Sequence, residues 1–502
     1  MDLFLSIAIY SVIFLWIYHR WNDRKVIRLA AKVGAHKSHM ILGFGPILTP
    51  ATLIKNSVDN CQKLGHNFVS YIGPFAHFFT SDPESIKDIL TSKMTKNKPK
   101  LSYKGMRHAL GNGIMTMPDK EWQSHRKLMD TAFKFSKIVE FLPIFHKKMP
   151  RLFEELDKCQ VMENAYDVLV HCREFTMSIT GETMLGRDFD KSTLNVKHYA
   201  QFITSIMEYI SNIMFKAVYQ IKYFLKLADI TLFREQRKML KLLGRIIDET
   251  YKYYSKEIQN DIEYLDNQDI SVAKYINAAI ERNILERELA ISSMIHLFGA
   301  SFEPNSSALY LTILMLAMHP EYQEKAYVEI CKQFPDNDGG EFKITYEQIT
   351  QLTYLDMFIK ETMRLFPAIP MFGRLTIGGD LTLSNGIIIP ERLELAIDVY
   401  NLHRNKDIWG PDADTFDPDN FLPANVEKRH PYAFMPFGKG MRFCIGMRYA
   451  EMSIRVAMAK LIKRYKFSTT AKLEDLVLQN HITLHLANHP PLTIAKRRKL
   501  YI

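Results

Sequence analysis

Apolar residues recur at helical spacing over about 122-157, 163-185, 197-228, 233-260, 286-318, 320-333, 352-365 and 446-465. Segments of this kind along the whole length, with Pro or Gly near several ends, commit the chain to a mainly helical body. Strand-like runs are few: Phe68 to Ile72, His77 to Thr80, Leu381 to Ile389 around an Asn385-Gly386 turn, and the tail near Thr483-Leu486 and Leu492-Ile494. A length of 502 residues would alone suggest about three domains. No Gly/Ser tract, Pro-rich spacer or fixed-period repeat marks a division. The expectation is therefore one large domain, mainly α with small β-sheets, over 46-502.

The first residues are of another kind. Leu3 to Tyr18 is almost continuously apolar, and Arg20, Arg24, Lys25, Arg28 and Lys32 follow, opposed only by Asp23. This predicts a membrane anchor over 1-20 and a linker over 21-45, with the basic side cytoplasmic and Trp16, Tyr18 and Trp21 at the interface. A cleaved signal peptide is the rival reading; it calls for a basic start and a small-residue cleavage site, and the sequence has neither. Lys+Arg 65 against Asp+Glu 55 gives a net charge of +10, which suits an acidic partner or an anionic membrane surface. Without zinc-ligand spacing, an RNA-binding aromatic signature or a basic heptad helix, nucleic acid is not expected as a partner. The five cysteines are odd in number and far apart, which suits free thiols in a reducing compartment.

One of them stands in a distinctive setting. Residues 434-450 read FMPFGKGMRFCIGMRYA, so a glycine-rich loop presents Cys444 just before a helical segment. A helix N-terminus and a nearby arginine favour a thiolate, and glycines let the backbone approach a flat ligand. An arbitrary free cysteine is more often a small buried hydrophobe, which is the reading kept for the other four. The full pattern Phe437-x-x-Gly440-x-Arg442-x-Cys444-x-Gly446, however, resembles the haem-binding loop of the cytochromes P-450. That resemblance implies the P-450 fold and haem b, with Cys444 as the axial thiolate ligand of iron, Phe437 packed beside it and Arg442 at a haem propionate.

Further motifs resemble the same family in the same order. Glu361 and Arg364, in LTYLDMFIKETMRLFPAIP, share a helix face. Alone they would be an exposed pair worth well under ~1 kcal/mol; here they look like the family's K-helix lock. Trp122 and Arg126, four apart in DKEWQSHRKLMDTAF, point the same way, and by resemblance they bind a propionate, as does Arg374. FDPDNFLP (416-423) is similar to the segment that supplies a third partner to the lock, but carries Asn420 where the family usually has arginine. An amide supplies no charge, so a weaker lock is expected, assisted by Arg404 or Arg429. The resemblance runs from about residue 60 to the end and is closest to insect microsomal members related to the fatty-acid-hydroxylating fourth family. KVGAHKSHMILGFGP lacks the proline-rich hinge expected after the anchor.

The long helical pattern 286-318 resembles the family's I helix, which crosses the distal side of the haem with an Ala/Gly-Gly-x-Asp/Glu-Thr-Thr motif. This chain has Ala300-Ser301-Phe302-Glu303-Pro304-Asn305, keeping the acid but neither threonine. Cleaving dioxygen consumes two protons, relayed from an acid through a hydroxyl or ordered water. Glu303 and Asn305 are the candidate catalytic residues, Asn305 holding a relay water, with Ser307 one turn beyond Glu303. Pro304 offers no hydroxyl, frees the carbonyl of Ala300 and opens that turn; the plainer reading is a tolerated kink. Ala300 stands where some fourth-family members carry a glutamate that bonds haem covalently, which this chain cannot do there.

The resemblance implies an endoplasmic-reticulum monooxygenase that inserts one oxygen atom from O2 into a hydrophobic substrate. Electrons come from NADPH through NADPH-cytochrome reductase, with cytochrome b5 as a further candidate partner. Two other functions are compatible with the residues. One is a reductase-independent isomerase or dehydratase of peroxides, since such members commonly lack the relay threonine. The other is a haem- or lipid-binding protein with decayed catalysis.

Overall fold

The computed structural model describes residues 23–36, 49–72, 75–159, 167–190, 196–260, 271–335 and 341–497. The anchor expected over 1-20 lies outside the described residues, and no described helix is long and apolar enough to cross a membrane. Part of the expected linker is ordered structure: Arg24–Val33 is a helix whose Leu29 is buried in a cluster with Val69 and Phe78.

The helices that position the site are α1 (Asp119–Ala132), α2 (Val168–Leu185), α3 (Val196–Phe215), α4 (Arg234–Asn260), α5 (Arg287–Met318), α6 (Thr353–Leu365) and α7 (Met447–Arg464). The expected single helix over 122-157 is three. Lys134, with an extended backbone (ψ 148), turns the chain after α1, and helices Phe135–Val139 and Leu142–Cys159 follow. The 197-228 pattern likewise divides into α3, a short 3-10 turn at Ala217–Gln220 and a helix at Lys222–Ile230.

A four-stranded sheet is built from β1 (Asn67–Ile72), β2 (Phe75–Thr80), β3 (Met371–Leu375) and β4 (Glu394–Asp398) in the order β1-β2-β4-β3. β2 and β4 are parallel, and the other two pairings are antiparallel. The sequence pattern anticipates β1 and β2 but neither β4 nor β3, whose Gly373 and Arg374 break the expected alternation. The hairpin of β5 (Leu478–His481) and β6 (Thr483–Leu486) contributes Asn480 and Thr483 to the wall of the central cavity.

α5 is the axis of the body and packs most extensively against α2. Every residue from Asn305 to Ala317 is buried, so the helix is surrounded on all sides rather than amphipathic. The helix runs unbroken through Pro304. A lone proline is costly in a helix interior, but here packing of the following turns holds the backbone helical where local preference alone would interrupt it.

The buried pair Glu361–Arg364 ties α6 to the segment before the cysteine loop. Arg364 donates to both Glu361 oxygens at 2.7 Å, to the carbonyls of His403 (2.8 Å) and Ala413 (2.5 Å), and to that of Thr415 (2.9 Å). All five guanidinium N–H groups are thereby used. Asn420 does take the third place: its Nδ2 donates to Glu361 Oε1 at 3.2 Å, and Arg429 donates to Asn420 Oδ1 at 3.3 Å. Of the two arginines considered as helpers, Arg429 serves through that amide. Arg404 instead faces the carbonyl of Leu365, Asp414 and the ring of Tyr400.

Arg364→Met should leave the Glu361 carboxylate buried and unpaired, at a cost of about 3–5 kcal/mol. A denaturant midpoint within experimental error of the parent would contradict this, and Glu361→Gln/Arg364→Met should recover part of the loss.

Candidate active site

The cysteine loop closes one side of a cavity of about 430 Å³ whose lining is mostly apolar. Its shape follows from its glycines. Gly438 and Gly440 take positive φ (68 and 73), and a Cβ on Gly440 would lie 2.3 Å from the carbonyl oxygen of Leu90. The Cys444 N–H donates to the carbonyl of Phe437 at 2.9 Å, folding the loop back so that Sγ opens into the cavity just ahead of α7. Cys444 is accessible from the cavity yet otherwise enclosed by protein. Burial pushes its thiol up, against a lowering contribution from the Gly446 N–H and then Arg126. The thiolate expected from the helix end and arginine alone therefore needs a further positive partner, which a metal ion supplies.

α1 grips this loop. Arg126 donates to the Phe443 carbonyl at 2.9 Å and to Asp130 at 2.7 Å. Arg442 donates to the Met117 carbonyl at 2.9 Å, and its guanidinium lies 4.2 Å from the Trp122 ring centre. Trp122 thus meets Arg442 as well as its own helix neighbour Arg126. Arg374 reaches the same region from β3 and donates to the Gly373 carbonyl at 3.0 Å.

Lys98, which the sequence does not single out, joins them, with its Nζ 3.4 Å from the Tyr103 hydroxyl. Burial first, then Arg374 and Arg442, push the Lys98 ammonium well down. Burial pushes both arginines down to about 10, with Arg374 adding to the effect on Arg442.

Among the described residues neither Lys98, Arg374 nor Arg442 forms an ion pair, and Nε and Nη1 of Arg442 are buried without a partner. Unneutralised buried cations are costly. Converging at one end of an apolar cavity beside a single thiol, they fit a flat metal-bearing group with anionic arms: Cys444 could hold its metal, and Lys98, Arg126, Arg374 and Arg442 its carboxylates. Haem b has this form. Phe437 lines the same cavity beside the thiol.

Across the cavity α5 presents Ala300, Ser301, Glu303, Pro304 and Asn305. Glu303 is 1% exposed. Its Oε2 accepts from the Thr204 hydroxyl of α3 at 3.4 Å, while Oε1 lies 3.6 Å from Arg173 Nη2 and 3.4 Å from His485 Nε2. Burial raises the Glu303 carboxyl above its ordinary range, with Arg173 and Thr204 opposing. His485 is held neutral, pushed down to about 3 by burial and then by Arg173. Asn305 donates to Ser453 on α7 at 2.9 Å, leaving its amide oxygen buried without a partner. Ser307 donates to the Leu484 carbonyl at 2.9 Å, so it anchors the β5–β6 hairpin. Thr204, Arg173 and His485 come from three distant segments, and nothing local in the sequence flags them.

A family model for cytochrome P450 matches residues 35–495. "Probable cytochrome P450 313a4" of Drosophila melanogaster is 34% identical over 490 residues, covering 96% of this chain and 97% of its own length. "Probable cytochrome P450 313a2" of the same organism is 32% identical over 511 residues, covering 98% and 99%. "Probable cytochrome P450 4ac1", also from Drosophila melanogaster, is 28% identical over 486 residues, covering 95% and 92%. The chain belongs to the cytochrome P450 family, the haem-thiolate oxidoreductases. Its expected likeness to insect members related to the fourth family holds as well.

Because burial raises Glu303, the folded protein holds that proton more tightly than the unfolded chain does. Below the ordinary carboxylate range both states are protonated and the group costs nothing; as pH rises through it, the unfolded chain ionises first and folded stability falls. Glu303→Gln should therefore raise the melting temperature at about pH 7.5, and the gain should fade toward about pH 4. A gain independent of pH, or a loss at pH 7.5, would contradict this.

Proposed function

We propose that the protein is a membrane-anchored haem-thiolate monooxygenase, inserting one oxygen atom of O2 into an apolar substrate while the other leaves as water. NADPH-cytochrome reductase, with cytochrome b5 as a second candidate, supplies the two electrons. The observation that carries this reading is one apolar cavity with a loop thiol and buried cations at one side and a buried acid on the facing helix. Haem bound through Cys444 supplies the activation of dioxygen.

The chain's own residues do the rest. Lys98, Arg126, Arg374 and Arg442 neutralise the propionates, and Phe437 covers the thiolate side. The apolar walls exclude water. Glu303 holds a proton at a carboxyl oxygen facing the cavity, and Arg173, His485 and Thr204 fix its position. Asn305 keeps an amide oxygen free to orient water beside it.

The membrane side of the proposal has support within the described residues. Around the helix Lys222–Ile230, the side chains of Ile221, Tyr223, Phe224, Leu227, Ile230 and Leu232 are exposed, interspersed with Lys222 and Lys226. An exposed apolar patch rimmed by lysines suits a lipid surface. Together with an anchor at 1-20, it supports a position on the cytoplasmic face of the endoplasmic reticulum membrane.

Pro304 favours a second reading, a reductase-independent isomerase or dehydratase of lipid peroxides, because the residue directly after Glu303 carries no hydroxyl. Coupled NADPH and O2 consumption with product formation separates the two, since peroxide turnover without reductase belongs only to the second. The reduced-CO difference spectrum of the membrane-expressed protein should show the thiolate-ligated band and lose it in Cys444→Ala. A band that survives this substitution would falsify the assignment of the ligand. Pro304→Thr should lower the peroxide released per NADPH consumed; unchanged coupling would make the proline a tolerated kink only.

A further inference from the structure

Among the polar groups of the cavity wall that neither haem binding nor proton delivery uses, one is a histidine on α5. His296 lies seven residues before Glu303 on α5, hence on the same helix face, and lines the same cavity. It is 1% exposed, and its Nε2 is buried without a hydrogen-bond partner.

The ring is held from one side by the segment after Leu110. The Met115 N–H donates to His296 Nδ1 at 3.3 Å, which places the ring proton on Nε2. The Gly111 carbonyl lies beside the ring, already accepting from the Thr116 hydroxyl at 3.1 Å. A Cβ on Gly113 would lie 2.6 Å from Nδ1, so glycine there lets the backbone close on the imidazole. The Thr116 hydroxyl accepts from the Gly113 N–H at 3.2 Å, and the Met117 N–H donates to the Gly113 carbonyl at 3.0 Å, which makes this turn a firm support. Burial pushes His296 down to about 4, the Gly111 carbonyl opposing and His125 adding to the effect, so the ring is neutral at physiological pH.

Leu110, Ile114, Met207, Ile210 and Leu297 line the same cavity. The cations of the cavity wall, Lys98, Arg126, Arg374 and Arg442, cluster instead by the cysteine loop. His296 itself offers an uncharged N–H on a mostly apolar wall and forms no ion pair among the described residues, which suits an uncharged acceptor better than a carboxylate or an ammonium.

We propose that His296 is the polar anchor of the substrate pocket, its Nε2–H donating to an uncharged oxygen acceptor, such as a ketone, ester, ether or epoxide, on an otherwise apolar substrate. This deepens the monooxygenase reading and rests on it. The acceptor fills the one unmet hydrogen bond of the imidazole, and the chain attached to it runs along the apolar walls toward Ala300 and Glu303. A site that contains a buried donor discriminates against an isostere lacking the acceptor, because the donor is then left unsatisfied.

The test uses the full-length haem-loaded protein and three ligands of matched length: tridecane, 2-tridecanone and dodecanoate. Affinities are measured by calorimetry and by the absorbance change of the ferric haem. The ketone should bind at least about tenfold more tightly than the alkane. His296→Leu should abolish that preference while leaving the alkane affinity unchanged, and His296→Gln, which retains a donor, should keep most of it. Equal ketone preference in His296→Leu and the parent, or tightest binding of dodecanoate, overturns the anchor. The reduced-CO spectrum of each variant is recorded alongside. A missing thiolate band in the parent overturns the monooxygenase reading itself, whereas a normal band with no ketone preference overturns only the role of His296.

Discussion

Arg364 is the point from which the cysteine loop is hung. Its guanidinium holds the carbonyls of His403, Ala413 and Thr415, and the His403 ring then passes the constraint on. His403 Nδ1 sits 3.2 Å from the Arg364 carbonyl, and Nε2 accepts from the Met435 N–H at 3.0 Å. Burial first, then Arg364, keep this ring neutral, down at about 3, so one nitrogen donates while the other accepts. The Met435 carbonyl in turn accepts from the Gly438 N–H at 2.9 Å, at the start of the loop that presents Cys444. A buried ion pair contributes little net stability against an apolar replacement. What it provides here is position, because every donor of one rigid planar group has a fixed partner.

The cavity is electrically divided. Cations gather where the loop meets α1 and β3, and the acid stands on α5 among Arg173, His485 and Thr204. These two ends do not neutralise each other. Such a division would be unstable in an empty apolar core, and it matches a cofactor that brings its own carboxylates to one end only. A hydroxyl does reach the Glu303 carboxylate, but it comes from Thr204 on α3.

Features carried by short local patterns were legible in the sequence. Cys444 and its glycines, Glu361 with Arg364, and Trp122 with Arg126 all sit within a few residues of one another, and the structure brings these groups together around one cavity or its support. The continuous helix 287–318 was legible in extent but not in continuity, since proline chemistry predicts an opened turn and only the burial of the following turns explains its absence. What could not be read depends on distance along the chain. Lys98, Arg173, Thr204, His296 and His485 are ordinary residues in their own segments and become a site only when the fold assembles them. The strand β3, at the edge of its sheet, escaped the periodicity because Gly373 and Arg374 interrupt its alternation, although Arg374 itself was singled out by resemblance.

The helix Arg24–Val33 is joined to the sheet by backbone bonds from the Val69 N–H to the Gly34 carbonyl at 3.0 Å and from the His36 N–H to the Val69 carbonyl at 3.1 Å. Lys25 adds a 2.7 Å contact to Asp380. With an anchor ending at residue 20, only residues 21 to 23 separate it from this docked helix, a reach of at most about 11 Å. The tether is then a short stalk rather than a leash. The catalytic body would then stand at a nearly fixed height over the bilayer.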